Sequence, residues 1–306
     1  MIFLRILLAL ALLTGSAQAQ MNSFFPGPGA PAASAPAYQG PGDIVASAKA
    51  WGSCARVYTA AQASTSTSLC DLVAVTGGAA VCTLRATASG FVDLAASYCA
   101  GTTPAAACAA ASGGSCKVSK VYDQTGGGYH PVQATLASMP ALTFSAVGGL
   151  PCTTYAGAQS LVSASSFSGT QPQTYSAVAL RSTVQFGGIV GLDVSGHVGL
   201  FGTGTTDTWA GYAGSVASFT ATDNAYHAVQ FIINGASSAS YLDGSSTTGL
   251  TAGSQSSGSF SFGLQNGAFF AGSICEGGWW DNNAFSLGNQ SAMNANQHSS
   301  TSGYNF

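Results

Sequence analysis

The segment spanning residues 117–134, KVSKVYDQTGGGYHPVQA, gathers more chemistry-bearing side chains than any other short stretch of the chain. Asp123 and Gln124 can accept and donate hydrogen bonds inside a tight loop, and Gly126, Gly127 and Gly128 can enter left-handed backbone conformations. His130-Pro131 leads the chain out. No serine or cysteine nucleophile context surrounds His130, so triad chemistry is not indicated. The segment reads as a polar staple that holds a long loop against a sheet. His197, His227 and His298 are isolated in the sequence and read as ordinary strand or tail residues. The eight cysteines, Cys54, Cys70, Cys82, Cys99, Cys108, Cys116, Cys152 and Cys275, form no CxxC pair and no Cys/His cluster with zinc spacing. No metal and no cofactor is expected.

Their even number suits disulfides. Connectivity stays open from sequence alone. Cys70 and Cys82 sit in two strand-like runs, 69–75 and 79–86, joined by Thr76-Gly77-Gly78, and make the nearest candidate pair. Cys99, Cys108 and Cys116 share one Ala/Gly-rich loop that suits a local bridge. Cys152 and Cys275 can join an early strand to a late one.

The elements that must position these residues are strands. After Cys116, short β-type runs at 117–122, 141–144, 152–155, 174–180, 188–192, 198–201, 216–220, 227–233, 239–242, 259–264 and 268–280 are broken by Gly, Ser, Thr and Asn. Several alternate apolar and polar residues. Many close-spaced strands predict an all-β sandwich or barrel. Helical patterning is confined to two turns at 91–98 and a C-terminal helix at 284–297, with Phe285 and Met293 on its apolar side. No repeat of 20–50 residues is present. Trp279 and Trp280 are adjacent, so a strand sends one into the core and the other to a surface. Trp51 has no reading beyond packing.

The N-terminus reads as an address. Arg5 precedes an apolar run over residues 6–13, and Ala17-Gln18-Ala19 offers a small-x-small cleavage site. Residues 1–19 are expected to be a signal peptide, with the mature protein secreted, extracellular or periplasmic. Residues 20–41 are rich in Pro, Gly, Ala and Ser and cannot bury a core, so they read as a flexible or polyproline-like leader. The length of 42–306 suits one large β domain or two small ones, and one sandwich domain over 42–306 is expected. No later run is long and apolar enough to span a membrane. Only 6% of the residues are charged, and 7 basic side chains stand against 10 acidic ones. No basic patch is available for a phosphate backbone, so nucleic acid is excluded as a partner. Oligomeric state is not legible.

The YDQTGGGYH segment resembles the YDQSGNGNH-type signature in the catalytic domain of α-L-arabinofuranosidase B, glycoside hydrolase family 54. Other landmarks are similar in order. Gly40-Pro41-Gly42-Asp43-Ile44 resembles the family's GPCDIY start, Cys54-Ala55-Arg56-Val57-Tyr58 suits the family's second early cysteine and the residues after it, and FFAGSICEGG over 269–278 resembles the late GTFYEGVMTSG strand. The resemblance covers about residues 40–300 and implies a concanavalin-A-like, laminin-G-like antiparallel β-sandwich of jelly-roll type, with few short helices and stabilising disulfides. It also implies an activity on, or binding of, arabinose-containing polysaccharide.

Family chemistry needs two carboxyl groups about 5–5.5 Å apart. The family's nucleophile follows a tryptophan in a VDMENN-like stretch, whereas here Trp209 is followed by Ala210-Gly211-Tyr212-Ala213-Gly214-Ser215-Val216. Its acid/base aspartate sits in a GGDN-like turn that here reads Gly263-Leu264-Gln265-Asn266-Gly267, and an amide cannot exchange the proton. The adjacent cysteine pair of the family's sugar pocket is missing, and no counterpart of its arabinose-binding β-trefoil follows the last helix. The sole glutamate, Glu276, matches a late-strand glutamate outside the catalytic pair. Asp207 and Asp223 are the candidates to replace the nucleophile if the alignment is displaced; otherwise they are solvated loop residues. Asp193, Asp243 and Asp281 read as turn residues. Trp209, Tyr212 and Asn266 are the candidate sugar contacts, and Asp123 or His130 could touch a sugar if their loop is more than a staple. Three functions therefore stand: a hydrolase, a non-catalytic carbohydrate-binding or adhesion module, and a structural surface protein.

Overall fold

The computed structural model describes residues 37–193 and 197–306. The expected signal peptide and most of the leader lie outside the described residues. Two antiparallel layers face each other. One runs Ala50–Ser53, Ala271–Trp280, Gln173–Arg181, Tyr226–Ile233, Ser238–Leu242, Ser245–Leu250. The other runs Ala80–Arg85, Ser68–Ala74, Cys116–Val121, Pro131–Val132, Leu161–Ser168, Ser257–Phe262, Gly187–Asp193, Val198–Gly202, Thr208–Tyr212, Val216–Thr220. Ala141–Val147 and Leu150–Ala156 bridge the two through Cys116–Val121 and Ala271–Trp280. The all-β sandwich expected from the sequence is therefore the fold.

The core forms where the inward residues of both layers meet. Val190, Leu200, Trp209, Phe219, Phe260 and Phe262 come from one layer, and Tyr175, Val229, Phe231, Ile274 and Trp279 from the other. Phe167 stacks on Trp279 at 4.2 Å between centroids, and Phe219 lies 5.8 Å from Phe231. Gly211 leaves room for this packing, because a Cβ there would stand 1.9 Å from Phe231 Cε1.

Both Trp279 and Trp280 are buried, which corrects the expectation of one surface tryptophan. They do point to opposite faces, but both faces are covered. Trp280 enters a second cluster with Trp51, Tyr58, Phe285 and Met293 beneath the helix Leu287–His298. That helix, capped by Ser286 on the Asn289 N–H, is the expected C-terminal one.

Residues 91–98 do not form the expected helix. Phe91 and Val92 make bridges to Arg56 and Ala86, and the Asp93 carboxylate takes the Ala95 and Ala96 N–H groups into a turn. The helix of this region is Pro104–Ala110, capped by Thr103. The packed domain also begins before residue 42. The Tyr38 ring meets Phe91 at 5.4 Å, and a Cβ on Gly40 would stand 2.3 Å from Tyr58 O.

All eight cysteines are bonded: Cys54–Cys70, Cys82–Cys99, Cys108–Cys116 and Cys152–Cys275. The last two match the local bridge and the early-to-late bridge. The Cys70–Cys82 pair is corrected. Their strands do pair, but Cys70 stands opposite Leu84 and Cys82 opposite Leu72, so the sulfurs are out of register. Cys70 is buried toward Cys54, whereas Cys82 is half-buried toward Cys99.

Candidate functional site

The outer face of Gly187–Asp193, Val198–Gly202 and Thr208–Tyr212 presents aromatic and amide side chains together. Opposed residues of antiparallel strands share a face. Gly188 pairs with Phe201, Phe201 with Ala210, and Gly199 with Tyr212, so these residues point outward together. Phe201 is buried under Phe186 at 4.6 Å and lies 6.2 Å from Tyr212. Phe186 is 44% exposed and Val216 53%, and Tyr212 is half-buried.

A hairpin, Leu264–Gln265 paired with Ala268–Phe269, docks on the same face. Its seat is Gly188, where a Cβ would stand 2.4 Å from Gln265. Asn266 and Gly267 both have positive φ (52° and 71°), the backbone a two-residue hairpin turn demands. The Asn266 N–H donates to Asp193 Oδ1 at 2.8 Å, which fixes the hairpin tip beside the end of its neighbouring strand. Asp193 is thus a buried anchor rather than a solvated turn residue. His197 Nδ1 lies 3.4 Å from the same carboxylate oxygen. The Gln265 side-chain amide is buried without a hydrogen-bond partner among the described residues. The exposed Phe186 ring and the half-buried Tyr212 ring can stack the apolar face of a sugar, and the exposed Asn266 amide can bond its hydroxyls.

Of the three expected sugar contacts, Tyr212 and Asn266 lie at this end of the face. Trp209 does not. It points inward from the alternate side of its strand, fully buried, with its ring 5.5 Å from His227. Period-two alternation separates it from Tyr212.

Asp207 and Asp223 meet at the opposite end of the Thr208–Tyr212 strand. Asp207 Oδ1 accepts the Asp223 N–H at 2.7 Å, and Asp223 Oδ2 accepts the Asp207 N–H at 3.0 Å. Asp223 also receives Arg181 Nε. Arg181 is fully buried, and its remaining donors go to the carbonyls of Thr203, Thr205 and Thr208. Burial opposes ionisation of Asp223, but the Arg181 contact and the Asp207 N–H outweigh it and hold the carboxyl below its usual range. A carboxyl held ionised this way cannot act as an acid at neutral pH.

The 123–130 loop is stapled. Asp123 Oδ1 accepts from the Trp51 and Thr125 N–H groups, Oδ2 accepts from the Tyr129 N–H, and the Asp123 N–H donates to His130 Nδ1 at 2.9 Å. Gln124 Oε1 accepts the Tyr58 N–H, and its Nε2 donates to Arg56 O. Asp123 and Gln124 are both buried, and Gly126 and Gly128 take positive φ (85° and 75°). Burial, with Lys120 nearby, lowers the His130 pKa and keeps Nδ1 free to accept.

Glu276 is buried in a bidentate pair with Arg56, at 2.6 and 2.9 Å. Gln297 Nε2 donates to Glu276 Oε1, and Asn296 Oδ1 accepts from Arg56 Nη1. The network ties the last helix to the sheet and leaves the carboxylate no access to a ligand.

His227 and His298 are not isolated. Both flank Asp243, with His227 Nδ1 on Oδ2 and His298 Nε2 3.5 Å from Oδ1. Separations of 16 and 55 residues left no local signal of this cluster. No group of three or more His, Cys, Asp or Glu side chains is arranged to hold a metal ion among the described residues.

The two layers, the bridging strands and the docked hairpin define a concanavalin-A-like antiparallel sandwich. More particularly, the chain has the fold of glycoside hydrolase family 54 α-L-arabinofuranosidases. It is similar to an arabinofuranosidase solved in complex with arabinofuranosyl-α-1,2-xylobiose, with a TM-score of 0.62 and 15% identity over 84% of this chain and 64% of that one. It is equally similar to a family 54 α-L-arabinofuranosidase soaked with a cyclic sulfate inhibitor, with a TM-score of 0.62 and 15% identity over 84% of this chain and 66% of that one. The chain thus spans just under two thirds of the length of these structures. No family model matches the sequence, and no curated protein matches it.

Proposed function

We propose that the protein is an exported, non-hydrolysing carbohydrate-binding protein that takes arabinose-containing polysaccharide on the face presented by Phe186 and Tyr212. The observation that carries this reading is the aromatic face over Phe201, next to Asn266 and Asp193, on a sandwich like that of arabinofuranosidases. Export is supported by four disulfides, which persist in oxidising compartments, and no described helix is long and apolar enough to cross a membrane.

Absence of turnover is supported by the fate of the carboxylates. Asp193 is the one carboxylate assigned to this face among the described residues. Asp207 and Asp223 do lie together, which favours hydrolysis as the second reading, but their oxygens hold backbone N–H groups and Arg181.

The test pairs affinity electrophoresis on arabinoxylan with release of 4-nitrophenol from its α-L-arabinofuranoside. Retardation by the polysaccharide, weakened roughly two- to thirteenfold in Tyr212→Ala as expected for an aromatic contact of ~0.5–1.5 kcal/mol, supports binding. Unchanged migration of the wild-type protein refutes it. Turnover abolished by Asp207→Asn or Asp223→Asn establishes the hydrolytic reading instead.

A further inference from the structure

Far from the aromatic face, the Ala80–Arg85, Ser68–Ala74 and Cys116–Val121 strands form the other end of the same layer. Seven strand spacings separate Ser68–Ala74 from Thr208–Tyr212, on the order of 30 Å along the sheet. A shallow depression of about 440 Å³ opens here, lined among others by Asp71, Val81, Thr83, Ser119 and Tyr122. That volume falls in the range of small-molecule sites.

Asp71 is the organising group. Thr83 Oγ donates to its Oδ1 at 2.6 Å, and the Tyr122 hydroxyl reaches Oδ1 and Oδ2 at 3.2 and 3.1 Å. Asp71 forms no salt bridge among the described residues. Lys120 stands directly opposite it in the ladder, yet its ammonium sits 4.2 Å from the Tyr122 ring centroid. The carboxylate is therefore positioned by two hydroxyls, with no cation in direct contact among the described residues.

An ionised carboxylate offers about four acceptor sites, and two hydroxyl protons occupy about half of them. Two sites remain for incoming donors. Two adjacent O–H groups match two carboxylate oxygens, and charge-assisted bonds of that kind are the strong ones. Ser119 supplies a hydroxyl for a ring or hydroxyl oxygen, and Val81 supplies an apolar ledge for C–H groups. A metal ion fits poorly, because one carboxylate falls short of the roughly six to eight oxygens that Ca²⁺ takes.

We propose that this depression is a second ligand site, taking a neutral sugar through a vicinal diol on Asp71. The site does not depend on the aromatic face, and either can fail without the other. The test is amide NMR on ¹⁵N-labelled full chain, titrated with methyl β-D-xylopyranoside and, separately, methyl α-L-arabinofuranoside into the tens of millimolar. Saturable shifts of the Asp71, Thr83 and Lys120 amides with at least one sugar are expected. Asp71→Asn should weaken them tenfold or more, and Val81→Arg, which fills the ledge from a half-buried position, should abolish them in a protein with native signal dispersion. Tyr212→Ala should leave them unchanged. No saturable shift at these three amides with either sugar overturns the proposal, as does an affinity unaltered in both variants.

Discussion

Two of the disulfides allow loop-closure entropy to be tested inside one molecule. Cys152–Cys275 closes 123 residues and Cys108–Cys116 closes 8. The chain-entropy relation gives about 4.9 kcal/mol for the first and about 2.5 kcal/mol for the second at 25 °C. No other disulfide lies within or across either loop, so each bridge acts on its own segment of the unfolded chain. All four cysteines are buried to 2% exposure or less, so the small cavities left by alanine should be similar and cancel in the comparison. The perturbation is Cys152→Ala/Cys275→Ala set against Cys108→Ala/Cys116→Ala. The assay is urea unfolding under non-reducing conditions, compared as free energies in water because opening a cross-link changes m. The long-loop variant should lose about 2.4 kcal/mol more than the short-loop variant. In thermal unfolding that difference corresponds to a midpoint lower by roughly 5–10 °C for a domain of this size. Equal losses, or a larger loss from the short loop, would refute the entropic reasoning and place the stabilisation in the folded state.

Other perturbations probe the buried polar groups. Glu276→Gln keeps the shape but leaves Arg56 buried without its counter-charge, and chemical denaturation should record a loss of ~3–5 kcal/mol. The Asp243 cluster should make stability depend on pH. Asp243 raises the His298 pKa despite burial; at His227 burial opposes protonation, and the Asp243 contact overcomes it. For raised histidines the stabilisation is complete below the unfolded value of about 6.5 and is lost as pH rises through the folded values. Asp243 itself is held below the usual carboxylate range: burial opposes this, and the two histidines outweigh it. Its contribution is present above about pH 3.9 and lost on further acidification. Melting temperature should therefore fall between about pH 6 and 8, and Asp243→Asn should flatten that slope; a variant as pH-sensitive as wild type would contradict it. Gly211→Ala forces a methyl group into the Phe231 ring and should cost ~1–3 kcal/mol by the same denaturation assay.

The legible part of the site lay in short-range patterning. Asp123 and Gln124 stand one after the other in a glycine loop, and their polar-staple reading needed only the hydrogen-bonding capacity of adjacent residues. Asn266-Gly267 is likewise a turn that two residues specify, and the position of Tyr212 shortly after Trp209 could be read from the chain. What could not be read was Trp209's burial, because nothing local says which face of its strand meets the core. The strand at Thr208–Tyr212 went unrecognised behind its glycine and alanine, and so did Leu161–Ser168 behind its serines. The mismatch of Cys70 with Cys82 and the meeting of His227 with His298 are illegible locally for related reasons. The first pair depended on a ladder register and the second on a carboxylate brought from another turn.

By itself, the sequence determined that the chain would be a cross-linked all-β sandwich or barrel with a helix after its last strand, since alternation, turn residues and cysteine number are local properties. Only the tertiary structure decided which side of each strand is buried, which cysteines meet, and which carboxylates are free to act. Register and layer packing set those outcomes, and a shift of one residue reverses every side chain on a strand.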